Sequence, residues 1–220
     1  MYNPLNDKDI MRKLFLALSA ILTLAACSSD PVYHDMTTQQ KEAYAKSVAG
    51  DYEGTYIIIY NEEGGDDKAI KIEGAKVTVT DQTLQSVFFH DYPVSQLSHV
   101  IKNAELAEAL AKQPNIDLTA TYRFFDLQDN GDVNWGYDPI AIPLTLHYGD
   151  ADHHVVLKAS NSHTYFRLSK ANLDAGMPFA YQGVFQLSFD GIYESDVLLE
   201  EFDGIWQNNT TYLTYFQLDK

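Results

Sequence analysis

Ile116-Asp117-Leu118-Thr119-Ala120-Thr121-Tyr122-Arg123-Phe124 alternates apolar and polar side chains without a break. A strand turns successive side chains to opposite faces, so this run predicts a strand with one buried face and one wet face. The same period returns in Ile140, Ile142, Leu144, Leu146 and Tyr148. It is longest in Phe179, Tyr181, Phe185, Leu187 and Phe189, where Gly183 takes the vacant inward position. Shorter runs are Val155, Leu157 and Ala159, then Thr164, Phe166 and Leu168, and at the end Tyr212, Thr214, Phe216 and Leu218. One-sided strands in this number bury their apolar faces by pairing antiparallel and curling together. The expected fold class is therefore mainly β: an antiparallel meander closing into a barrel or sandwich, with two or three short helices.

Upstream of that run the pattern is more mixed. Thr37-x-x-Gln40 is a capping-box spacing, Tyr44 and Val48 lie four apart, and Gly50 follows, which predicts a helix over residues 38–48. The Tyr- and Ile-rich stretch Tyr52 to Tyr60 and the later Ile70, Ile72, Val77 and Val79 read as the two arms of a hairpin. The second arm changes phase between Ile72 and Val77, and a bulge near Gly74 would restore a single buried face. A strand over Leu84 to Phe89 follows. After Pro93, Leu97, Val100 and Ile101 share a helical face, and Asn103 can cap a second short helix that runs to about Lys112 before Pro114. Phe189-Asp190-Gly191-Ile192 returns as Phe202-Asp203-Gly204-Ile205, which reads as two successive hairpin turns.

Composition narrows the function. Fifteen Lys and Arg against 31 Asp and Glu give a formal charge of −16, which argues against a nucleic-acid partner. The single Cys excludes an internal disulfide and a multi-cysteine metal cluster. Arg12 and Lys13 precede an uncharged run from Leu14 to Leu24, followed by Ala25, Ala26 and Cys27. That is the order of a secretory signal, and the 14 residues from Leu14 to Cys27 are too few for a membrane-spanning helix, which needs roughly 20. Asp7 and Asp9 ahead of the basic pair are poor signal chemistry, which points to Met11 as the true start.

Leu24-Ala25-Ala26-Cys27 resembles the bacterial lipobox. That resemblance implies lipidation of Cys27, cleavage before it, and a membrane partner held through acyl chains; an ordinary signal peptide followed by a free thiol is the alternative. The chain then divides into a signal peptide over 1–26, a lipidated Cys and tether over 27–36, and one β-barrel-like domain over 37–220. The short helix before Gly50-Asp51-Tyr52-Glu53-Gly54, running into a Tyr-Ile strand and a meander, resembles the calycin or lipocalin opening. Lipocalins carry Gly-x-Trp where this chain has Gly50-Asp51-Tyr52, and their long helix lies near the C-terminus. With its lipobox, the whole is similar to small lipoproteins of Bacteroides-type bacteria, which implies the Gram-negative envelope, with the outer membrane as the expected site.

Candidate binding residues cluster between Asp129 and Pro139, where Trp135 and Tyr137 sit among Asn134 and Asp138. An aromatic face beside amides and carboxylates suits a glycan or a small ligand; the alternative is that Trp135 folds back over the barrel end. His147 and His154 are expected opposite each other across a turn at Gly149 to Asp152, which supplies two metal ligands and no third. Asp126-x-Gln128-x-Asn130-Gly131-Asp132 partly matches a calcium loop but has Tyr137 where the bidentate Glu belongs, so it reads as a polar turn. No nucleophile elbow, zinc-protease helix or phosphate loop is present, and no cofactor is implied. The expectation is a lipid-anchored, non-catalytic binding protein for a small apolar ligand or a glycan. Its rival is a scaffold whose barrel is filled by its own side chains and which docks another envelope protein. A polysaccharide hydrolase stands third.

Overall fold

Thr37 starts the first helix by the chemistry its spacing predicts. Its hydroxyl accepts from Gln40 N at 3.2 Å while Gln40 Oε1 accepts from Thr37 N at 2.9 Å, so two otherwise unpaired donors are satisfied reciprocally. In the computed structural model, which describes residues 33–61, 67–82, 85–138, 140–159, 165–176, 185–187, 189–202 and 212–218, the order of elements is as follows. β1 (Tyr33–Asp35), α1 (Thr38–Val48), β2 (Gly50–Asn61), β3 (Asp67–Val79) and β4 (Ser86–Tyr92) lead to a 3₁₀ helix (Val94–Val100) and α2 (Ala104–Ala111). Then come β5 (Ile116–Gln128), β6 (Val133–Tyr137), β7 (Ala141–Tyr148), β8 (Ala151–Ala159), β9 (Tyr165–Leu168) and α3 (Lys170–Asp174). β10 (Phe185–Leu187), β11 (Phe189–Glu194), β12 (Val197–Glu201) and β13 (Tyr212–Leu218) complete the chain.

The fold is mainly β, an antiparallel half-barrel with a few short helices. Among the described residues a nine-stranded sheet runs in the order β10-β13-β2-β3-β4-β5-β6-β9, with β1 added on β5, and a four-stranded sheet runs β12-β11-β8-β7. The inner faces of both sheets belong to one contiguous buried cluster. Tyr92 at the end of β4 meets Phe189 of β11 with ring centroids 6.2 Å apart, a contact that joins the sheets directly. Leu118, Ala120, Tyr122 and Phe124 of β5 are all buried, as the opening alternation requires, and so are Ile142, Leu144 and Leu146 of β7. Each large apolar side chain removed from water contributes about 1.5–3 kcal/mol, so these strand faces are a main driving force of folding.

The predicted bulge is present. Gly54 pairs with Ala75 and Thr55 with Glu73, which leaves Gly74 as the extra residue, at φ +73. Ile70 and Ile72 thereby share a face with Val77 and Val79. After Pro93 the helix is 3₁₀ rather than α, and the residues explain it: Val94, Leu97 and Val100 are all buried, a spacing of three that suits three residues per turn. Asn103 caps α2, its Oδ1 accepting from Glu105 N and Leu106 N.

Four local expectations are corrected. Asp190-Gly191 is not a turn: Gly191 lies within β11 beside a register break, where a Cβ would come 2.2 Å from Glu200 O. The turn is at Ser195-Asp196, both at positive φ; the second copy of the motif, from Asp203 onward, lies outside the described residues. β8 pairs with β7 and β11, whereas β9 pairs with β6, so the expected meander does not run on from β8 to β9. α3 was not expected; Ser169 caps it, and Lys170 pairs with Asp174 one turn on at 2.6 Å. β1, finally, falls in the stretch read as tether, with Tyr33 opposite Gln128 and Asp35 opposite Asp126. The alternation from Phe179 to Tyr181 lies outside the described residues, while Phe185 to Leu187 is β10.

Candidate functional site

The segment expected to be a binding loop is strand β6, paired with β5 on one side and β9 on the other. Its odd-numbered residues face inward, so Trp135 is fully buried and Tyr137 nearly so. Tyr122 meets Trp135 edge to face at 5.9 Å and 87°, and Tyr137 meets it at 5.3 Å and 88°. Phe124 adds a third edge-to-face contact on Tyr122 at 5.7 Å. Aromatic pairs in this arrangement gain about 0.5–1.5 kcal/mol beyond the area they bury. Complete burial pushes the Tyr137 hydroxyl well above its ordinary pKa. Asn134 is half-buried on the opposite face, and Asp138, just past the strand, accepts from Arg123 Nε at 2.9 Å. The structure therefore separates the four candidates: two aromatics in the core, two polar residues outside it.

The histidine pair is also resolved. The β7–β8 hairpin closes over only two residues, Gly149 and Asp150, both at positive φ, so Tyr148 pairs with Ala151. This register sets His147 opposite Asp152, 2.8 Å from its carboxylate, and His154 opposite Thr145. His147 and His154 are therefore not opposite each other. Among the described residues no group of three His, Cys, Asp or Glu side chains converges as metal ligands do.

The acidic loop before β6 is a tight turn built around Asp132. Gly131 N donates to Gln128 O at 2.8 Å, and Asn130 Oδ1 accepts from Asp132 N at 2.9 Å. The Asp132 carboxylate, buried, accepts from Arg167 of β9 and from Lys170 N at the start of α3. Tyr44 of α1 donates to Gly131 O. The turn thus ties three elements together, and its carboxylate is already occupied.

A different place on the sheet has the character of a site. Two irregularities of neighbouring strand pairs converge there: the Gly74 bulge in β3, and the break in the β4–β5 ladder between Phe89 and Tyr92. Bulges re-aim side chains, and they are frequent beside functional sites. Between these two lies a cleft of about 260 Å³, with Glu73, Lys76, His90, Asp91 and Asn115 among its lining residues. Tyr56 forms its floor; the hydroxyl bridges the two strands by donating to His90 O at 2.9 Å and approaching Lys76 O at 3.3 Å. Burial, then the charges of Asp91 and Asp117, push the pKa of that hydroxyl up. Asp91 sits at φ +50, where few side chains other than Asn and Asp are found, and its N–H donates to Asp117 Oδ1 at 3.1 Å. His90 is held at both ends: Nε2 lies 3.1 Å from Thr78 Oγ1, which donates to Asp51, and Nδ1 lies 3.9 Å from Asp117. Sequence reading located the bulge but not the cleft; the available signal was the polar pair His90-Asp91 interrupting an apolar strand between Phe89 and Tyr92.

A second, shallower depression of about 320 Å³ lies between α1 and α3, lined by Tyr44, Ser47, Lys170 and Leu173 among others. Comparison with known proteins adds two matches. A family model described as a domain of unknown function (DUF4840) matches residues 47–185, and one for the prokaryotic membrane lipoprotein lipid attachment site matches residues 11–28. No curated protein and no solved structure matches the chain.

Proposed function

From the premise that the chain belongs to the DUF4840 family and carries a lipoprotein lipid attachment site, we propose a non-catalytic module of the bacterial envelope, anchored through Cys27, that works by surface contact rather than by enclosing a ligand. The observation that carries this reading is the edge-to-face packing of Tyr122, Phe124, Trp135 and Tyr137 inside the half-barrel. These rings occupy the space a cup for an apolar molecule needs. An outer-membrane location in a Bacteroides-type cell, and kinship with lipocalin-like domains, are the finer parts of the proposal; the antiparallel half-barrel supports the second. In this reading residues 1–26 are the signal, and the tether shortens to residues 28–32, because β1 is paired with β5.

Six residue steps separate Cys27 from Tyr33, a reach of about 20 Å at most. Dual or triple acylation gives stable attachment where a single chain is marginal. Replacing Cys27 by Ser is expected to move the protein from the membrane to the soluble fraction; continued membrane retention would overturn the anchor. The filled interior is tested with N-phenyl-1-naphthylamine, whose fluorescence rises in an apolar cavity. No saturable rise is expected, and a saturable one lost on Tyr137→Trp would restore the cup.

A further inference from the structure

The cleft beside Gly74 has a definite chemical bias. Glu73 and Asp91 are exposed carboxylates that have no hydrogen-bonded or ion-paired side-chain partner among the described residues, and an ionised carboxylate only accepts. The lysine in its lining, Lys76, is engaged by Glu53 at 3.3 Å. A ligand that satisfies this rim must be rich in O–H or N–H donors. Anions are disfavoured by Glu73, Asp91 and the neighbouring Asp117 within a chain of formal charge −16. A metal ion lacks the converging ligands it needs among the described residues. A cationic ligand would have to sit beside Lys76.

The lining also has apolar surface, from the half-buried Ile72, and an amide from Asn115 that can donate and accept. Apolar C–H faces bounded by hydroxyls that donate and accept are the mark of a sugar ring, and a cleft of about 260 Å³ suits one such ring. We propose that this cleft binds a single neutral sugar residue, as at the end of a glycan, with vicinal hydroxyls donating to Glu73 and Asp91 and a ring face over Ile72. The bulge makes the entrance: an added Cβ at Gly74 would meet nothing within 4 Å, so the backbone there is open to an approaching ligand. This site deepens the surface-contact reading above and rests on it.

The test is an amide-shift titration of the full-length chain in detergent micelles with the methyl β-glycosides of glucose, galactose and N-acetylglucosamine. Saturable shifts at Gly74, Lys76 and Asp91 are expected for at least one sugar. Binding should weaken about tenfold or more in the double variant Glu73→Ala/Asp91→Asn. Asn tolerates the positive φ at position 91, and unshifted amides elsewhere check that the variant is folded. Absence of saturable shifts with all three sugars, shifts confined to other residues, or shifts indifferent to the double variant would overturn the proposal. So would arginine methyl ester moving these amides when the sugars do not. None of these results touches the fractionation or the apolar-probe experiment, so failure of the sugar site and failure of the anchored surface module are distinguishable.

Discussion

Arg167 grips Asp132 with two nitrogens, Nε at 2.9 Å and Nη2 at 2.6 Å, both on Oδ2, while Asp132 Oδ1 accepts from Lys170 N at 3.0 Å. The pair joins β6 to β9, and the third bond fixes where α3 begins. The partners are unequally placed: the Asp132 side chain is 9% exposed and that of Arg167 58%. Removing either one therefore has different consequences.

Burial pushes the Asp132 pKa up, but the bonds from Arg167, Lys170 N and Asn130 outweigh it, and the carboxyl sits below its usual value. A carboxyl whose folded pKa is depressed stabilises the fold above its unfolded pKa of about 3.9, and that contribution is lost as pH falls through the folded value. Asp132→Ala should cost about 2–3 kcal/mol at neutral pH, the worth of hydrogen bonds to a charged group. Urea unfolding at neutral pH and near pH 3 checks the source: the gap between wild type and variant narrows in acid. A gap independent of pH would mean that the turn, not the charge, carries the energy. Arg167→Ala instead leaves the buried Asp132 carboxylate without its cation, so the Asp132 pKa rises and the loss at neutral pH is expected to be no smaller than that of Asp132→Ala.

Two glycines one ladder step apart separate steric from conformational cost. At Gly54 a Cβ would stand 2.1 Å from Gln217 O, a backbone atom of the paired strand, so Ala can enter only by parting β2 from β13. Gly54→Ala is expected to cost about 3 kcal/mol or more. At Gly74 the same Cβ meets open space and only the left-handed backbone resists it, at about 1–2 kcal/mol. Thermal unfolding of the two variants ranks them, and equal losses would contradict this division.

What the sequence made legible was local. The capping box at Thr37, the Gly74 bulge and the alternation of β5 each follow from sterics and hydrogen bonding within a few residues, and each is found where it was read. The β6–β9 pairing was not legible, because partner choice between strands far apart in the chain leaves no local period. Val133-Asn134-Trp135-Gly136-Tyr137 alternates too, but Gly136 and the polar neighbours looked like a loop. The histidine register failed by a count of two: a turn closing over Gly149-Asp150 rather than four residues sets His147 against Asp152. The cleft was illegible for another reason: Glu73, His90 and Asn115 converge only after two ladder irregularities meet, one of which is marked in the sequence only by the polar pair His90-Asp91 between Phe89 and Tyr92.

Trp135 gives a spectroscopic handle on the filled interior. In a Trp206→Phe background Trp135 is the only indole, because the chain has two Trp. Its emission should be blue-shifted and poorly quenched by iodide, as its complete burial requires. Trp135→Ala should cost about 3–5 kcal/mol, whereas Asn134→Ala, on the outer face, should stay within about 0.5 kcal/mol. Comparable losses at both positions, or ready quenching, would argue against the inward placement.

The buried tyrosines set an alkaline limit. Tyr52 donates to Val48 O at 2.7 Å, which ties the start of β2 to the end of α1, and burial pushes its pKa up to about 12. An unfolded tyrosine ionises near 10, so between the two values the folded chain holds a proton that the unfolded chain has lost. Stability from this group is complete below about pH 10 and falls as pH rises toward the folded value. Below that range Tyr52→Phe should cost about 1 kcal/mol, the net worth of one hydrogen bond. Above it the wild type loses ground and the variant does not, so the two denaturation curves should converge as pH is raised past 10. Curves that stay parallel across that range would show that Tyr52 ionises as freely in the folded chain as in the unfolded one, and that its hydroxyl is not held against Val48.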